Sequence, residues 1–252
     1  MLPKTPSFRL DGKRAFVPGG SRGIGLGCSA ALAEAGAEVL VAARSADQVR
    51  SSVDELKAAG HKVSGLALDV TDHEAVRAVF AEHGPFHILV NSAGIARHGP
   101  TLETTPDDFD AVVGVNFKAA YFMAQEAAKG MKELGGGSIV QISSQMAHVG
   151  GQERAVYCGT KHGIEGFNKA MAIDLAPFSI RLNSVCPTFI RTPLTAPTFS
   201  DPEKVKWIES KIKLGRIGEV EDIMGAVLFL ASDASSLVTG TSILVDGGWT
   251  AG

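Results

Sequence analysis

Short apolar segments alternate with longer segments of helical periodicity along this chain. The run 38–43 is almost entirely apolar, as expected for a parallel strand that helices cover on both faces. The segments that predict strands are 15–17, 38–43, 63–68, 88–90, 138–142, 180–185 and 243–245. The predicted helices lie at about 24–35, 45–59, 72–82, 106–134, with an interruption near 114–116, and 155–176. This alternation predicts an α/β fold, a Rossmann-type doubly wound sheet of seven parallel strands with helices on both faces.

The composition is that of one domain with a large core. The chain has 252 residues, of which 45% are hydrophobic, so we expect a single domain over 1–252. The net charge of −3 gives no electrostatic basis for binding nucleic acid or an anionic membrane. No apolar run reaches membrane-spanning length, and the N-terminal residues lack the apolar core of a secretory signal. The three cysteines are odd in number and far apart, which predicts buried, reduced thiols, a cytoplasmic protein and no metal site.

A glycine-rich segment follows the first predicted strand and leads into a helix. The spacing of Gly19, Gly23 and Gly25 lets the backbone turn tightly and bring its N–H groups to a pyrophosphate at the positive end of the helix. A close strand-to-helix turn without a ligand is one alternative. Another is G-x-S-x-G, the nucleophile elbow of a serine hydrolase, with Ser21 as the nucleophile. The hydrolase requires a late histidine, whereas the last histidine here is His162.

The end of the second predicted strand indicates which dinucleotide is bound. A carboxylate about twenty residues beyond the glycines would bind a free ribose 2′-hydroxyl. That place is taken by Ala43 and Arg44, and the first carboxylate is Asp47 in the next helix. Arg44, together with Arg22, is suited to clamp a 2′-phosphate, so the sequence favours NADP(H) over NAD(H). Two solvated arginines are the alternative.

Tyr157 and Lys161 carry the candidate chemistry. They are four residues apart, so in a helix their side chains lie on one face, one turn apart. An ammonium group beside a phenol lowers the phenol's pKa and suits it to proton transfer near neutral pH. Ser144 follows the fifth predicted strand, where its hydroxyl could polarise a carbonyl that Tyr157 protonates. The alternative is a half-exposed helix face with Ser144 as a cap.

These segments occur in the order found in the short-chain dehydrogenase/reductase family, which the chain resembles over essentially its whole length. The motifs are Gly19-x-x-x-Gly23-x-Gly25, Asp69-Val70, NSAG at 91–94, Asn116, and Ser144 with Tyr157-x-x-x-Lys161. The chain looks like the 3-oxoacyl-[acyl-carrier-protein] reductase-like and the sugar or polyol dehydrogenase-like members. The resemblance implies an NAD(P)(H)-dependent oxidoreductase that transfers a hydride between the nicotinamide and a small carbonyl or secondary alcohol substrate.

The resemblance also implies a role for each matching position. Tyr157 is the general acid/base, Lys161 lowers its pKa and holds the nicotinamide ribose, Ser144 polarises the substrate, and Asn116 anchors a water. The implied cofactor-binding residues are Gly19, Ser21, Arg22, Gly23, Ile24, Gly25, Arg44, Asp69, Val70, Asn91, Ala93, Gly94, Tyr157, Lys161, Ile190 and Thr192. A homotetramer is implied as well, assembled through the long helices and the C-terminal segment.

Three positions depart from the family pattern, although none removes a catalytic group. Pro18 replaces a threonine that braces the glycine loop, Ser92 replaces an asparagine, and Thr188 replaces a glycine near the nicotinamide. The substrate is expected outside the carboxyl ends of the strands, against 145–156 and a lid at roughly 188–215. A module that senses the dinucleotide without turnover is the remaining alternative, but a sensor has no use for a tuned phenol.

Overall fold

All seven predicted strands are present and form one parallel sheet. The computed structural model describes residues 2–252. The strands are β1 (Arg14–Pro18), β2 (Glu38–Ala43), β3 (Val63–Ala67), β4 (Ile88–Asn91), β5 (Gly137–Ile142), β6 (Ile180–Pro187) and β7 (Ser242–Val245). Their order in the sheet is β3-β2-β1-β4-β5-β6-β7, and every neighbouring pair is parallel. The chain therefore winds outward in both directions from β1, as the doubly wound fold requires.

Helices cover both faces of this sheet. They are α1 (Gly23–Glu34), α2 (Ala46–Ala58), α3 (His73–His83), α4 (Pro106–Val113), α5 (Ala120–Glu133), α6 (Ala155–Leu175), α7 (Ala196–Phe199), α8 (Pro202–Lys211) and α9 (Glu221–Ala231). One apolar core contains residues of α1, α2 and α9, and the other contains residues of α3, α5 and α6. The alternation within β1 shows how the strands serve both cores, because Phe16 packs into the second and Ala15 and Val17 into the first.

The topology creates a crevice at the carboxyl ends of the central strands. β1 pairs with β2 on one side and with β4 on the other, so the connections leaving β1 and β4 run to opposite faces of the sheet. Loops that diverge in this way leave an open space above the sheet, which is where open α/β sheets bind ligands. The glycine segment after β1 and the NSAG segment after β4 both border this space.

Two local features differ from the sequence-based expectation. The interruption expected near 114–116 is a π-helical segment, Gly114–Ala119, which joins α4 to α5 without a break in the helical path. A π-segment inserts an extra residue into the helical repeat, and such insertions occur often at functional sites. The helix α9 had no counterpart in the prediction; it is apolar around much of its circumference and packs against α1.

The thiols agree with the prediction. Cys28, Cys158 and Cys186 are all free and buried. Burial raises the pKa of the Cys28 thiol to about 12, and burial is also the main cause that raises the pKa of Cys186 to about 12. Across residues 2–252, no helix combines the length and apolar character needed to cross a bilayer.

Candidate active site

The glycine loop is packed so closely that its backbone leaves no room for side chains. Gly19 has φ +79°, and a Cβ there would lie 2.6 Å from the backbone nitrogen of Ala93. A Cβ on Gly25 would lie 2.0 Å from the carbonyl oxygen of Gly19. Gly23 also has positive φ, at +52°. The loop thus presents bare backbone at the start of α1, which is the arrangement that admits a phosphate group.

The loop is braced although Pro18 supplies no hydroxyl. The Ser29 hydroxyl in α1 reaches back to the carbonyl oxygens of Gly20 at 3.2 Å and Gly25 at 3.0 Å. The Gly19 N–H donates to the Ala42 carbonyl in β2 at 2.7 Å. These bonds tie the loop to α1 and to the neighbouring strand, so the departure at position 18 leaves the loop held by other groups.

A cleft of about 600 Å³ lies above the crevice between β1 and β4. This volume is in the range of cofactor and small-molecule sites. The predicted site residues that line it are Gly19, Ser21, Arg22, Gly23, Ile24, Gly25, Arg44, Asp69, Val70, Ala93, Gly94, Tyr157, Lys161 and Thr192. Residues absent from the prediction also line it, among them Ser45, Gln48, Ile95, Val115, Pro193 and Leu194. The residues present therefore fit a bound dinucleotide in shape and in backbone chemistry.

Four predicted residues lie behind this wall rather than on it. The Asn91 amide donates to Gln141 at 2.9 Å within the sheet, and its oxygen accepts from the Ala93 N–H at 3.3 Å. The Ile190 side chain is buried in the first core, and the expected contact of Ile190 with the nicotinamide stays a prediction. Ser144 and Asn116 are buried next to the cleft without lining it. Asn91 and Ile190 thus support the walls of the cleft.

The adenosine end of the cleft carries an arginine without an ion pair. Arg44 is exposed at the end of β2, and within residues 2–252 no carboxylate lies within 4.0 Å of it. Across the cleft, Asp69 accepts from the Thr71 N–H at 2.9 Å and hydroxyl at 2.7 Å. These bonds, with a smaller contribution from the Arg44 charge, lower the pKa of Asp69. The Asp69 carboxylate is therefore hydrogen-bonded to Thr71, and the Arg44 guanidinium is available to bind an anion.

Tyr157, Lys161 and Ser144 converge at the other end of the cleft. Tyr157 and Lys161 follow each other by one turn in α6, and the Lys161 ammonium lies 5.7 Å from the centre of the Tyr157 ring. Lys161 is 5% exposed and donates to the Ile142 carbonyl at 2.9 Å. The Ser144 hydroxyl accepts from the Met146 N–H at 3.1 Å, so it also caps the short helix that follows β5. The structure thus brings the three side chains together, as the spacing indicated.

The electrostatics of this cluster differ from the expectation. Burial raises the pKa of the Tyr157 phenol, and it outweighs the lowering by the Ser144 hydroxyl and the Arg154 charge. The expected lowering of the phenol's pKa by Lys161 stays a prediction. Burial also lowers the pKa of Lys161 to about 8, against partial compensation from the charges of Cys186 and Glu165. Desolvation therefore decides both pKa values, because each charged form has lost water.

Replacing Lys161 by methionine is expected to remove a pH-dependent part of the stability. The unfolded chain has the ordinary lysine pKa of 10.5, whereas the folded chain has about 8. Between these values only the unfolded chain is protonated at this site, so the free energy of unfolding rises with pH. Between pH 7 and 9.5, the free energy of unfolding of the wild type should rise by about 2 kcal/mol more than that of Lys161→Met. Chemical denaturation without cofactor measures both values. Identical pH dependence of the two proteins would contradict the lowered pKa.

Asn116 lies in the π-helical segment, and its side-chain amide is hydrogen-bonded to the Ile95 main chain and to the Thr160 hydroxyl. Its Oδ1 accepts from the Ile95 N–H at 2.8 Å, and its Nδ2 donates to the Ile95 carbonyl at 2.9 Å. The side chain therefore fixes the segment after β4 that lines the cleft. The expected role of Asn116 in anchoring a water stays a prediction.

Two side chains beside Tyr157 were absent from the predicted site. The His98 ring packs edge-on against the Tyr157 ring with centroids 5.5 Å apart, and Arg154 Nη1 lies 2.6 Å from His98 Nε2. Arg154 precedes Tyr157 by three residues, which was a usable sequence signal because positions three apart share a helix face. His98 lies on an irregular segment after β4, where no periodicity could indicate its direction.

One group of potential metal ligands lies beneath the site. Within the described chain, ligand atoms of His148, Glu165 and Cys186 all lie within 4.8 Å of one another. The Glu165 carboxylate already accepts from the Ser184 hydroxyl, at 2.8 and 2.7 Å to its two oxygens. The group is therefore accounted for by hydrogen bonding, and the absence of a metal site stays a prediction.

The chain is similar to known oxidoreductases over nearly its whole length. The family model described as Enoyl-(Acyl carrier protein) reductase matches residues 19–250. L-xylulose reductase of Bos taurus is 39% identical, in an alignment that covers 97% of this chain and 99% of that protein. D-erythrulose reductase of Gallus gallus is 38% identical, in an alignment that covers 97% of this chain and 98% of that protein. A crystal structure of a gluconate 5-dehydrogenase from Burkholderia cenocepacia J2315, in complex with NADP and tartrate, superimposes with a TM-score of 0.93 at 35% identity, covering 97% of this chain and 98% of that one.

These similarities agree with the fold and with the residues gathered around the cleft. These three relatives, which match over nearly their whole length, are named as two reductases and a dehydrogenase, and a serine hydrolase built on Ser21 finds no support among them. The protein is an NAD(P)-dependent oxidoreductase that acts on a small carbonyl or alcohol substrate, and its chain belongs to the short-chain dehydrogenase/reductase family.

Proposed function

We propose that the protein reduces small polyhydroxylated ketones with NADPH, and oxidises the corresponding alcohols in reverse. The observation that carries the proposal is that Tyr157 and Lys161 line one end of a cleft whose other end is bare glycine backbone, with the buried Ser144 hydroxyl beside Tyr157. The names of the relatives, which are an erythrulose reductase, a xylulose reductase and a gluconate dehydrogenase, support hydroxyketones as the substrate class. NADPH oxidation with D-erythrulose and L-xylulose tests it; turnover of neither, with simple ketones also inert, would contradict it.

The side chains of the site divide the work of proton transfer. A bound nicotinamide supplies the hydride chemistry. In reduction, the Tyr157 phenol donates its proton to the carbonyl oxygen, and its raised pKa keeps it protonated at neutral pH. The Ser144 oxygen accepts from the Met146 N–H, and its O–H, which is directed to the Tyr157 phenol, is placed to donate to the same substrate oxygen. Lys161, held by the Ile142 carbonyl, has two further ammonium protons for the ribose and for Tyr157.

Arg44 is proposed to bind the 2′-phosphate and so to favour NADP(H). Arg44→Ala is expected to weaken NADPH binding about ten- to a hundredfold, because a hydrogen bond to a charged group contributes about 1.5–3 kcal/mol. NADH affinity should change little. Fluorescence titration of both cofactors measures this, with Arg50→Ala as the matched control because Arg50 is an exposed arginine already paired with Asp47. Equal losses for NADPH and NADH would contradict the phosphate clamp.

We also propose a homotetramer. Large apolar side chains are exposed on the helical segments that the family uses for assembly, and they are Phe109, Phe117, Phe122 and Ile173, with Phe178 in the turn after α6. The edge strand β7 adds Leu244. Sedimentation velocity measures the assembly.

The segment 188–215, with α7 and α8, is proposed as the lid because Leu194 lines the cleft. The three free thiols support a reducing, cytoplasmic location.

A further inference from the structure

Arg154 is a half-buried arginine with no carboxylate partner. Within residues 2–252, no Asp or Glu oxygen lies within 4.0 Å of its guanidinium. Arg181, which is also half-buried, donates to the Ser235 hydroxyl and to two backbone carbonyls at 2.7–3.1 Å. The only side-chain hydrogen bond of Arg154 in that part of the chain is to His98, and burial lowers its pKa. Most of its five N–H donors thus lack a protein partner.

The position of this guanidinium is fixed beside the proposed acid/base. It stacks over the Phe189 ring, with 5.3 Å from Cζ to the ring centroid, and Nη1 lies 2.6 Å from His98 Nε2. His98 in turn packs edge-on against Tyr157. An arginine that is stacked and hydrogen-bonded is pre-organised, so a ligand that pairs with it does not have to order a long side chain.

No neighbouring carboxylate in the described residues forms an ion pair with the Arg154 guanidinium, although Glu153 contributes a weaker electrostatic interaction. Desolvation of its ring, with help from the Arg154 charge, lowers the pKa of His98 to about 4, so His98 is neutral at pH 7. Its Nε2 then accepts from Arg154, and Nδ1 carries the ring hydrogen as a further donor. The nearest acid in sequence, Glu153, is exposed and makes no ion pair in the described residues, and Arg97 is already paired with Asp108 at 2.7 Å. A cation and a neutral donor therefore stand together next to Tyr157.

We propose that Arg154 anchors a carboxylate of the substrate, so that the preferred substrates are hydroxyketones that carry a carboxylate, the keto sugar acids, rather than neutral ketoses. This inference rests on the proposed function and names its substrate class. A planar guanidinium matches a carboxylate with two parallel hydrogen bonds, and the low-dielectric setting strengthens the pair. Pairing also relieves the cost of a desolvated charge without a partner.

A purely structural role for Arg154 is the competing explanation. In that role the side chain would only join the segment carrying His98 to α6, and its loss would damage turnover of every substrate alike. A carboxylate anchor, in contrast, affects charged and neutral substrates differently. The two explanations therefore predict different effects on the ratio of kcat/KM for a charged substrate to kcat/KM for a neutral one, whereas loss of activity alone fits both.

The test compares 5-keto-D-gluconate with L-sorbose, which has the same carbon skeleton and configuration but a hydroxymethyl group in place of the carboxylate. The kcat/KM of each is measured with NADPH in the wild type, Arg154→Gln, Arg154→Lys and the control Arg97→Gln. The kcat/KM for 5-keto-D-gluconate divided by that for L-sorbose is expected to fall about ten- to a hundredfold in Arg154→Gln, since a charge-assisted hydrogen bond to the carboxylate is lost. Arg154→Lys should keep part of the ratio, because it keeps the charge without the planar fork.

The controls separate failure of this inference from failure of the proposed function. Arg97→Gln removes the same charge from the same region, and its ratio should equal that of the wild type. Residual reduction of L-sorbose shows that each variant is folded and active. An unchanged ratio in Arg154→Gln overturns the carboxylate anchor while the proposed function stands. Turnover of neither compound by the wild type, with erythrulose and xylulose also inert, overturns both.

Discussion

Tyr157→Phe is expected to lose about a thousandfold in kcat while it keeps its affinity for NADPH. Positioned general acid/base groups contribute about a hundred- to ten-thousandfold, and this substitution removes only the phenolic hydroxyl. The ring itself remains to pack against His98, so the walls of the cleft should be unchanged. Steady-state reduction of L-xylulose and NADPH fluorescence titration measure the two quantities separately.

The chain offers a matched control for this substitution, because it contains only two tyrosines. Tyr121 lies in α5 and packs edge-on against Phe122 and Phe167, away from the residues of the cleft. Tyr121→Phe should retain wild-type turnover. If Tyr157→Phe retained more than about a tenth of the wild-type kcat, a value far above the loss expected for a proton donor, the proposed mechanism would be wrong.

Gly25→Ala is expected to weaken NADPH binding more than about a hundredfold, a loss of about 3 kcal/mol or more. The new methyl group would lie 2.0 Å from the Gly19 carbonyl oxygen and 3.0 Å from the Gly20 Cα, so the loop must move away from the start of α1. Backbone cannot yield as a flexible side chain does, and the N–H groups that are proposed to face the phosphates would move with it. Overpacking of this kind also costs about 1–3 kcal/mol of stability.

A second glycine separates the local effect from a general intolerance of alanine. Gly225 lies inside α9, and a Cβ there would meet nothing within 4 Å. Gly225→Ala should leave NADPH affinity unchanged and raise the thermal midpoint slightly, since alanine is the better helix former. Calorimetry and NADPH titration of both variants check the pair. Normal cofactor affinity in Gly25→Ala would mean that the loop is not the phosphate site.

The fold was largely accessible from sequence because its signals are local. Buried parallel strands read as apolar runs, and the segment 38–43 was identified with the bounds that β2 has in the structure. The Ser45 cap of α2 was also readable, and its hydroxyl accepts from the Gln48 N–H. The helix α9 was missed because a helix that is apolar nearly all round lacks the periodicity that marks an amphipathic one.

The site was accessible only in part, because its chemistry depends on contacts between distant segments. The spacing of Tyr157 and Lys161 fixed their shared face, but it could not reveal that burial raises the pKa of the phenol against the lowering by Ser144 and Arg154. Ile190 is five residues from Thr195, whose hydroxyl donates to its carbonyl, and this local turn sends the Ile190 side chain into the core. The position of the Arg154 guanidinium is set by its contacts with Phe189 and His98, and no sequence spacing predicts these contacts.

Transfer of the hydride from NADPH to the carbonyl carbon of the substrate can be followed directly with a deuterium label. The protein is incubated with NADPH deuterated at the transferable position and with a mixture of D-erythrulose, L-xylulose and 5-keto-D-gluconate, and the products are analysed by mass spectrometry. We expect an alcohol that carries one deuterium on the former carbonyl carbon, formed by the wild type and nearly absent with Tyr157→Phe. Alcohol formation at equal rates by both proteins, or no labelled product from any ketone, would contradict it.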